Sequence, residues 1–98
     1  MEKLEELYVL DAETARTKTI VAIKRKFPEG IKICNEKIEQ AANEGLRSVV
    51  VNNSDIPNLT NVGSSLAWFY KQHGYAVEWM SKENRLNFIW NGLNIGNI

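Results

Sequence analysis

The sequence predicts a two-layer α+β domain in which three helices pack on one face of a three-stranded sheet. An apolar strand at 48–51 is followed by a helix that ends at Gly74, and then by strands at 75–80 and 85–90 around a polar turn. Helical spacing of apolar residues upstream adds two helices, so the element order is α-α-β-α-β-β. We expect one domain over residues 1–98 with strand order 1-3-2, while order 1-2-3 stays open.

The first two helices follow from capping residues and breakers. Asp11 is predicted to cap the first helix, and Glu13 lies in its first turn, where the helix dipole favours negative charge. Pro28 and Gly30 are predicted to separate this helix from a second one that starts near residue 31. Gly45 is predicted to end the second helix in a left-handed conformation.

The second half of the chain predicts the sheet and the third helix. Three consecutive valines at 49–51 predict a strand that is buried on both faces. Thr60 is predicted to cap the third helix. Alternation in the last two strands predicts these residues on their inner faces: Tyr75, Val77, Trp79, Leu86, Phe88 and Trp90. Residues 1–10 are expected to form an arm or a frayed helix, and residues 91–98 an irregular tail.

Composition narrows the classes of function. Twelve basic and twelve acidic residues cancel, which argues against a broad phosphate-binding surface, and we expect no sequence-specific nucleic acid partner. The same balance means that association between copies meets no long-range electrostatic barrier. No apolar stretch approaches the roughly 18 residues that a membrane span requires. With an acidic start that is unlike a secretory signal, the chain is predicted to be cytoplasmic.

Catalytic and metal-binding motifs are missing from the sequence. It holds one cysteine and one histidine, and it contains no zinc-protease, Walker A or nucleophile-elbow motif. Cys34 falls on the apolar stripe of the second helix and is predicted to be a buried, inert thiol. His73 is predicted to end the third helix, where a cationic ring suits the dipole. We therefore expect no enzyme, no cofactor and no metal.

Trp68 is the residue that packing explains least well. Its helical neighbours Ser64, Ser65 and Gln72 are polar, so the indole is expected to project away from the apolar stripe and to contact a ligand or partner. The alternative is that the first helix lies across it. The helix start at 58–65 also offers backbone N–H groups and hydroxyls that suit an anion.

Arginines supply the complementary charge for an anionic ligand. Arg16 lies beside the apolar stripe of the first helix rather than opposite it, where it can reach either a buried acidic side chain or an anionic ligand. The predicted ligand-binding set is Arg16, Arg25, Arg47, Ser64, Trp68 and Tyr70.

The combined pattern resembles a set of small bacteriophage-encoded α+β proteins. The resemblance lies in the segment 13–16 of the first helix, the run 38–50 that leads from helix into strand, His73-Gly74-Tyr75 and the strand end at 87–90. It implies a non-catalytic phage protein, and some such proteins are sponges that sequester cyclic nucleotide immune signals of the host.

A sponge would use an aromatic ring to stack a base and arginine to bind phosphate. The leading hypothesis is therefore a homo-oligomeric protein that captures a small nucleotide signal of the cyclic dinucleotide kind and blocks anti-phage defence. An inhibitor that binds a host protein through Trp68, Tyr70 and the open sheet face is the first alternative. A minor structural protein of the phage and an enzyme are the others.

Overall fold

The computed structural model describes residues 8–90 and has the predicted α-α-β-α-β-β order. The elements are α1 (Ala12–Lys26), α2 (Pro28–Asn43), β1 (Ser48–Asn52), α3 (Leu59–Lys71), β2 (Ala76–Met80) and β3 (Arg85–Ile89). The sheet order is β1-β3-β2, and both pairings are antiparallel. The predicted fold class and the favoured strand order are confirmed.

The helices pack on one face of this sheet and bury a single core. α2 lies mainly over β1, and α3 lies mainly over β2. Six side chains are fully buried: Phe88, Leu59, Leu66, Leu86, Val51 and Cys34. The predicted inner-face alternation is correct, since Val77, Leu86 and Phe88 are buried while Ala76 and Glu78 are exposed.

The joint between the first two helices is tighter than predicted. α1 ends at Lys26, Phe27 alone separates the helices, and Pro28 occupies the first turn of α2, where its missing N–H costs nothing. Gly30 is therefore not a joint, and that prediction was wrong. It is buried inside α2, where an added Cβ would lie 3.2 Å from Cδ1 of Leu66.

Helix ends otherwise follow the predicted capping chemistry. The Asp11 side chain accepts a hydrogen bond from the N–H of Thr14 at 3.3 Å, which confirms it as the N-cap of α1. Gly45 has φ +87°, and the N–H of Leu46 donates to the carbonyl of Ala41, which satisfies an orphan carbonyl at the end of α2. Gly74, with φ +94°, follows α3 in the same way.

Two local predictions were wrong. α3 begins at Leu59 with Asn58 at the N-cap position, and the hydroxyl of Thr60 donates instead to Oδ1 of Asn84 at 2.8 Å. Val50 is 39% exposed, because the helices cover only one face of the sheet and its side chain lies on the other. Three valines in a row therefore do not mark a strand buried on both faces here.

Polar contacts connect the helices to each other and to the sheet layer. The Tyr70 hydroxyl lies 2.6 Å from Oδ1 of Asn35 and 3.1 Å from the carbonyl oxygen of Ile31, which ties α3 to α2. The ammonium of Lys37 lies 3.1 Å from Oδ1 of Asp55, which ties α2 to the loop after β1. These contacts hold α2 and α3 in register over the sheet.

Residues 8–10 precede α1 without regular structure, and all three are exposed. The rest of the predicted arm and the predicted tail at 91–98 lie outside the described residues. Within residues 8–90, none of the helices combines the length and the apolar character that crossing a bilayer requires.

Candidate functional site

An open groove of about 380 Å³ lies between α1 and α3, and Trp68 forms part of its wall. Its lining residues are Thr19, Ile23, Ser64, Ser65 and Trp68. Ser64 and Trp68 are four residues apart on α3 and therefore share one side of that helix. The groove combines an indole face with three hydroxyl-bearing side chains.

α1 and α3 run in opposite directions across this site. Near the start of α3, Val62 lines a cavity together with Phe27, whereas near its end Trp68 lines the groove together with Thr19. Moving toward the C-terminus of α3 therefore means moving toward the N-terminus of α1.

Trp68 is half-buried rather than free. Part of the indole packs against the core, and the remainder lines the groove beside Thr19 and Ile23. The indole was expected either to project away from the core or to be covered by the first helix. Each expectation is partly correct, because the ring is half-buried and α1 residues lie beside its exposed part. The indole is therefore partly covered by its own chain and partly exposed in the groove.

Arg16 lies on α1 one helical turn before Thr19 and is not among the residues that line the groove. Because the two residues are three apart, they share one side of α1, and that side also carries the buried Ile23. The Arg16 side chain is exposed.

The other three predicted site residues lie elsewhere. Arg25 is two residues after Ile23, which places it about 200° around α1 from the packed side. Arg47 precedes β1, and its carbonyl oxygen accepts from the N–H of Trp90 at 2.9 Å. Tyr70 is only 3% exposed and belongs to the core. Of the predicted set, Ser64 and Trp68 line one groove, and Arg16 lies one helical turn before Thr19 on the same side of α1.

Thr19, Ile23 and Ser65 were not among the predicted binding residues. The sequence places Thr19 and Ile23 on the apolar stripe of the first helix, and this stripe does face α3. Their helical spacing could have identified them once the first helix was paired with the third.

Neither Cys34 nor His73 lines the Trp68 groove, and the contacts of both are those of structural residues. Burial, with a smaller contribution from nearby Asp55, raises the pKa of the Cys34 thiol to about 12, so the thiol stays protonated at neutral pH. This confirms the predicted inert cysteine. His73 lies just beyond α3, and its Nδ1 is 2.9 Å from the carbonyl oxygen of Phe69. Because a carbonyl only accepts, Nδ1 carries the hydrogen in this bond.

A second, aromatic surface lies at the far end of α3 and was not predicted. Two neighbouring cavities of about 330 and 370 Å³ share His73 and Tyr75 in their walls. Trp90 lines the first cavity, and its ring centroid is 6.1 Å from that of Tyr75 in an edge-to-face arrangement. Alternation in the last two strands placed both rings on the inner face, which is the signal that could have located this surface.

Comparison of the chain with protein-family models, with curated proteins and with solved structures finds no match. Among residues 8–90, no three histidine, cysteine or acidic side chains are grouped so that they could hold a metal ion.

Proposed function

We propose that this protein is a non-catalytic binding protein that captures a small nucleotide of the cyclic dinucleotide kind in the Trp68 groove. The observation that supports this most directly is the half-covered indole of Trp68, which lines a groove together with the hydroxyl groups of Thr19 and two serines. On α1, the exposed Arg16 lies one helical turn before Thr19. A base would stack on the indole, and Arg16 would bind a phosphate.

The chemistry of the lining favours capture over turnover. The groove residues supply hydroxyls, an isoleucine and an indole, which bind and orient a ligand but do not exchange protons near neutral pH. The thiol of Cys34 lies elsewhere, inside the core. A protein that binds without turnover lowers the free concentration of a signal, which is how a sponge would block host anti-phage defence.

The size and openness of the groove favour capture by an assembly. A volume of about 380 Å³ is near the lower end of the range for small-molecule sites, and it suits one nucleotide unit rather than a whole cyclic dinucleotide. Two grooves from two copies could hold the two halves of such a ligand.

Isothermal titration calorimetry with a panel of cyclic dinucleotides and cyclic ADP-ribose isomers tests this function. We expect heat with at least one member, and loss of that heat in Trp68→Ala and Arg16→Ala. Arg25→Ala is the matched control, because it removes the same charge from the opposite side of α1 and should bind like the wild type. Absence of heat with every member, at protein concentrations well above micromolar, would refute the proposal.

The open sheet face favours a second candidate, an inhibitor that binds a host protein. Val50, Ala76 and Glu78 are exposed there, and no described helix covers them. This function predicts retention of a single host protein on the immobilised chain, lost in Glu78→Lys but unaffected by Arg16→Ala. Nucleotide capture predicts the opposite, loss of nucleotide binding in Arg16→Ala and none in Glu78→Lys.

A further inference from the structure

We propose that the free edge of β1 pairs with the same edge of a second copy of this chain, which joins the two sheets into one continuous antiparallel sheet. β1 and β2 each pair only with β3 among residues 8–90, so both have one edge without a strand partner. The hydrogen-bond pattern and the uncharged side chains of β1 both favour this pairing.

Some backbone N–H and C=O groups of β1 point away from β3 and are available to another strand. The N–H of Trp90 donates to the carbonyl of Arg47, so this pair, and every second pair after it, is hydrogen-bonded between β1 and β3. The N–H and C=O groups of the intervening Ser48 and Val50 therefore point away from β3. The N–H of Asn52 also points outward, and it is occupied by Oδ2 of Asp55 at 3.0 Å.

The side chains of β1 lack the features that usually protect an edge. Between Ser48 and Asn52 there is no charged residue and no proline, whereas β2 carries Glu78 at its centre. Val50 is 39% exposed and Leu46 is 52% exposed, which adds apolar surface beside the free backbone groups. An uncharged, valine-rich edge of this kind is suited to strand pairing.

The edge is complementary to itself under a two-fold axis near Val49. Antiparallel pairing about this residue lets Ser48 of each copy exchange main-chain hydrogen bonds with the partner's Val50. The outward N–H of Asn52 already donates to the Asp55 carboxylate, so it cannot bond to the second copy, and the pairing is confined to residues 48–50.

Charge does not oppose the antiparallel arrangement. It places Arg47 opposite the end of the other copy's β1, where the Asp55 carboxylate lies 3.1 Å from the Lys37 ammonium, so that end carries one charge of each sign. With no net charge on the chain, the two copies also approach without long-range repulsion.

Light scattering coupled to size exclusion, without any nucleotide, tests the pairing. We expect the 98-residue chain to have twice its single-chain mass of 11.2 kDa. Val50→Pro removes an N–H that points outward, so it should leave the pairing with β3 intact and halve the mass. Val50→Lys should do the same by placing two like charges beside the axis.

Controls separate loss of pairing from loss of fold. Ala76→Lys adds the same charge to the same sheet face at the opposite edge, and it should remain a dimer. Circular dichroism should show that both Val50 variants are folded. If neither variant folds, hydrogen exchange of the wild type decides, because the Val50 amide should become more protected as protein concentration rises.

A single-chain mass at every concentration tested, or dimers that persist in folded Val50 variants, would overturn the proposal. Val50 amide exchange that does not depend on protein concentration would also do so. These outcomes do not bear on nucleotide capture, since no nucleotide is present and β1 does not line the Trp68 groove.

Discussion

Gly63 in α3 lies directly against the indole of Trp79 in β2. A Cβ atom added at Gly63 would overlap ring atoms of Trp79, 2.7 Å from Cε3. The helix can approach the sheet this closely only because the residue at 63 has no side chain. The contact sets the depth at which α3 packs, and therefore the level at which Trp68 faces α1.

Gly63→Ala should destabilise the protein even though alanine is the better helix former. Alanine gains about 1 kcal/mol of helix propensity, but overpacking against the indole costs about 2 to 3 kcal/mol, and we expect a net loss of about 1 to 2 kcal/mol. Urea denaturation measures the change in the free energy of unfolding. Ser64→Ala, at the adjacent exposed position, is the control and should change it little. Full stability in Gly63→Ala would contradict the close approach.

Tyr70→Phe tests the polar contact that ties α3 to α2. Removing the hydroxyl breaks its hydrogen bond to Asn35, and the free energy of unfolding should fall by about 1 kcal/mol. Asn35→Ala should cost a similar amount. The double variant should cost less than the sum of the two single changes, because both remove the same bond. Strict additivity would show that the two groups do not interact.

The protein should lose stability as the pH rises above about 9. Cys34, with its pKa raised to about 12, stays protonated in the folded state, whereas the thiol of the unfolded chain ionises near pH 9. The unfolded state therefore binds fewer protons between pH 9 and 12, and the free energy of unfolding falls by about 1 kcal/mol per pH unit. Burial also raises the pKa of Tyr70, which steepens the fall above about pH 10.

Denaturant titrations between pH 7 and pH 10.5 measure this dependence. Cys34→Ala removes one titrating group and should give a shallower fall, whatever it does to stability at pH 7. An equal pH dependence in Cys34→Ala and wild type would show that the thiol is not buried. Wild-type Cys34 should also resist thiol reagents at neutral pH until the protein is unfolded.

Local sequence signals predicted the elements well, and contacts between elements account for what they missed. Asp11, Gly45 and Gly74 act through neighbours in the chain, so their roles could be predicted. Gly30 was misassigned because the missing side chain makes room for Leu66 of α3, and this contact between distant parts of the chain leaves no local sequence pattern. Val50 was misassigned because a run of valines does not tell how many faces of a strand are covered.

The candidate site also contains residues that local spacing could place and one that depends on contacts between helices. Ser64 and Trp68 could be grouped because they share one side of a single helix. Tyr70 follows Leu66 by four residues, so helical spacing alone was enough to place it in the core. The role of Arg16 depends on where α1 crosses α3, and the sequence does not specify that crossing.

The indole N–H resonances of the three tryptophans test the central claim most directly, with each signal assigned by a Trp→Phe variant. During titration with the nucleotide that gives heat, we expect the Trp68 resonance to shift while those of Trp79 and Trp90 stay in place. A shift confined to Trp90 would move the site to the aromatic surface beside Tyr75. Saturation of binding without any change at Trp68 would contradict capture in the Trp68 groove.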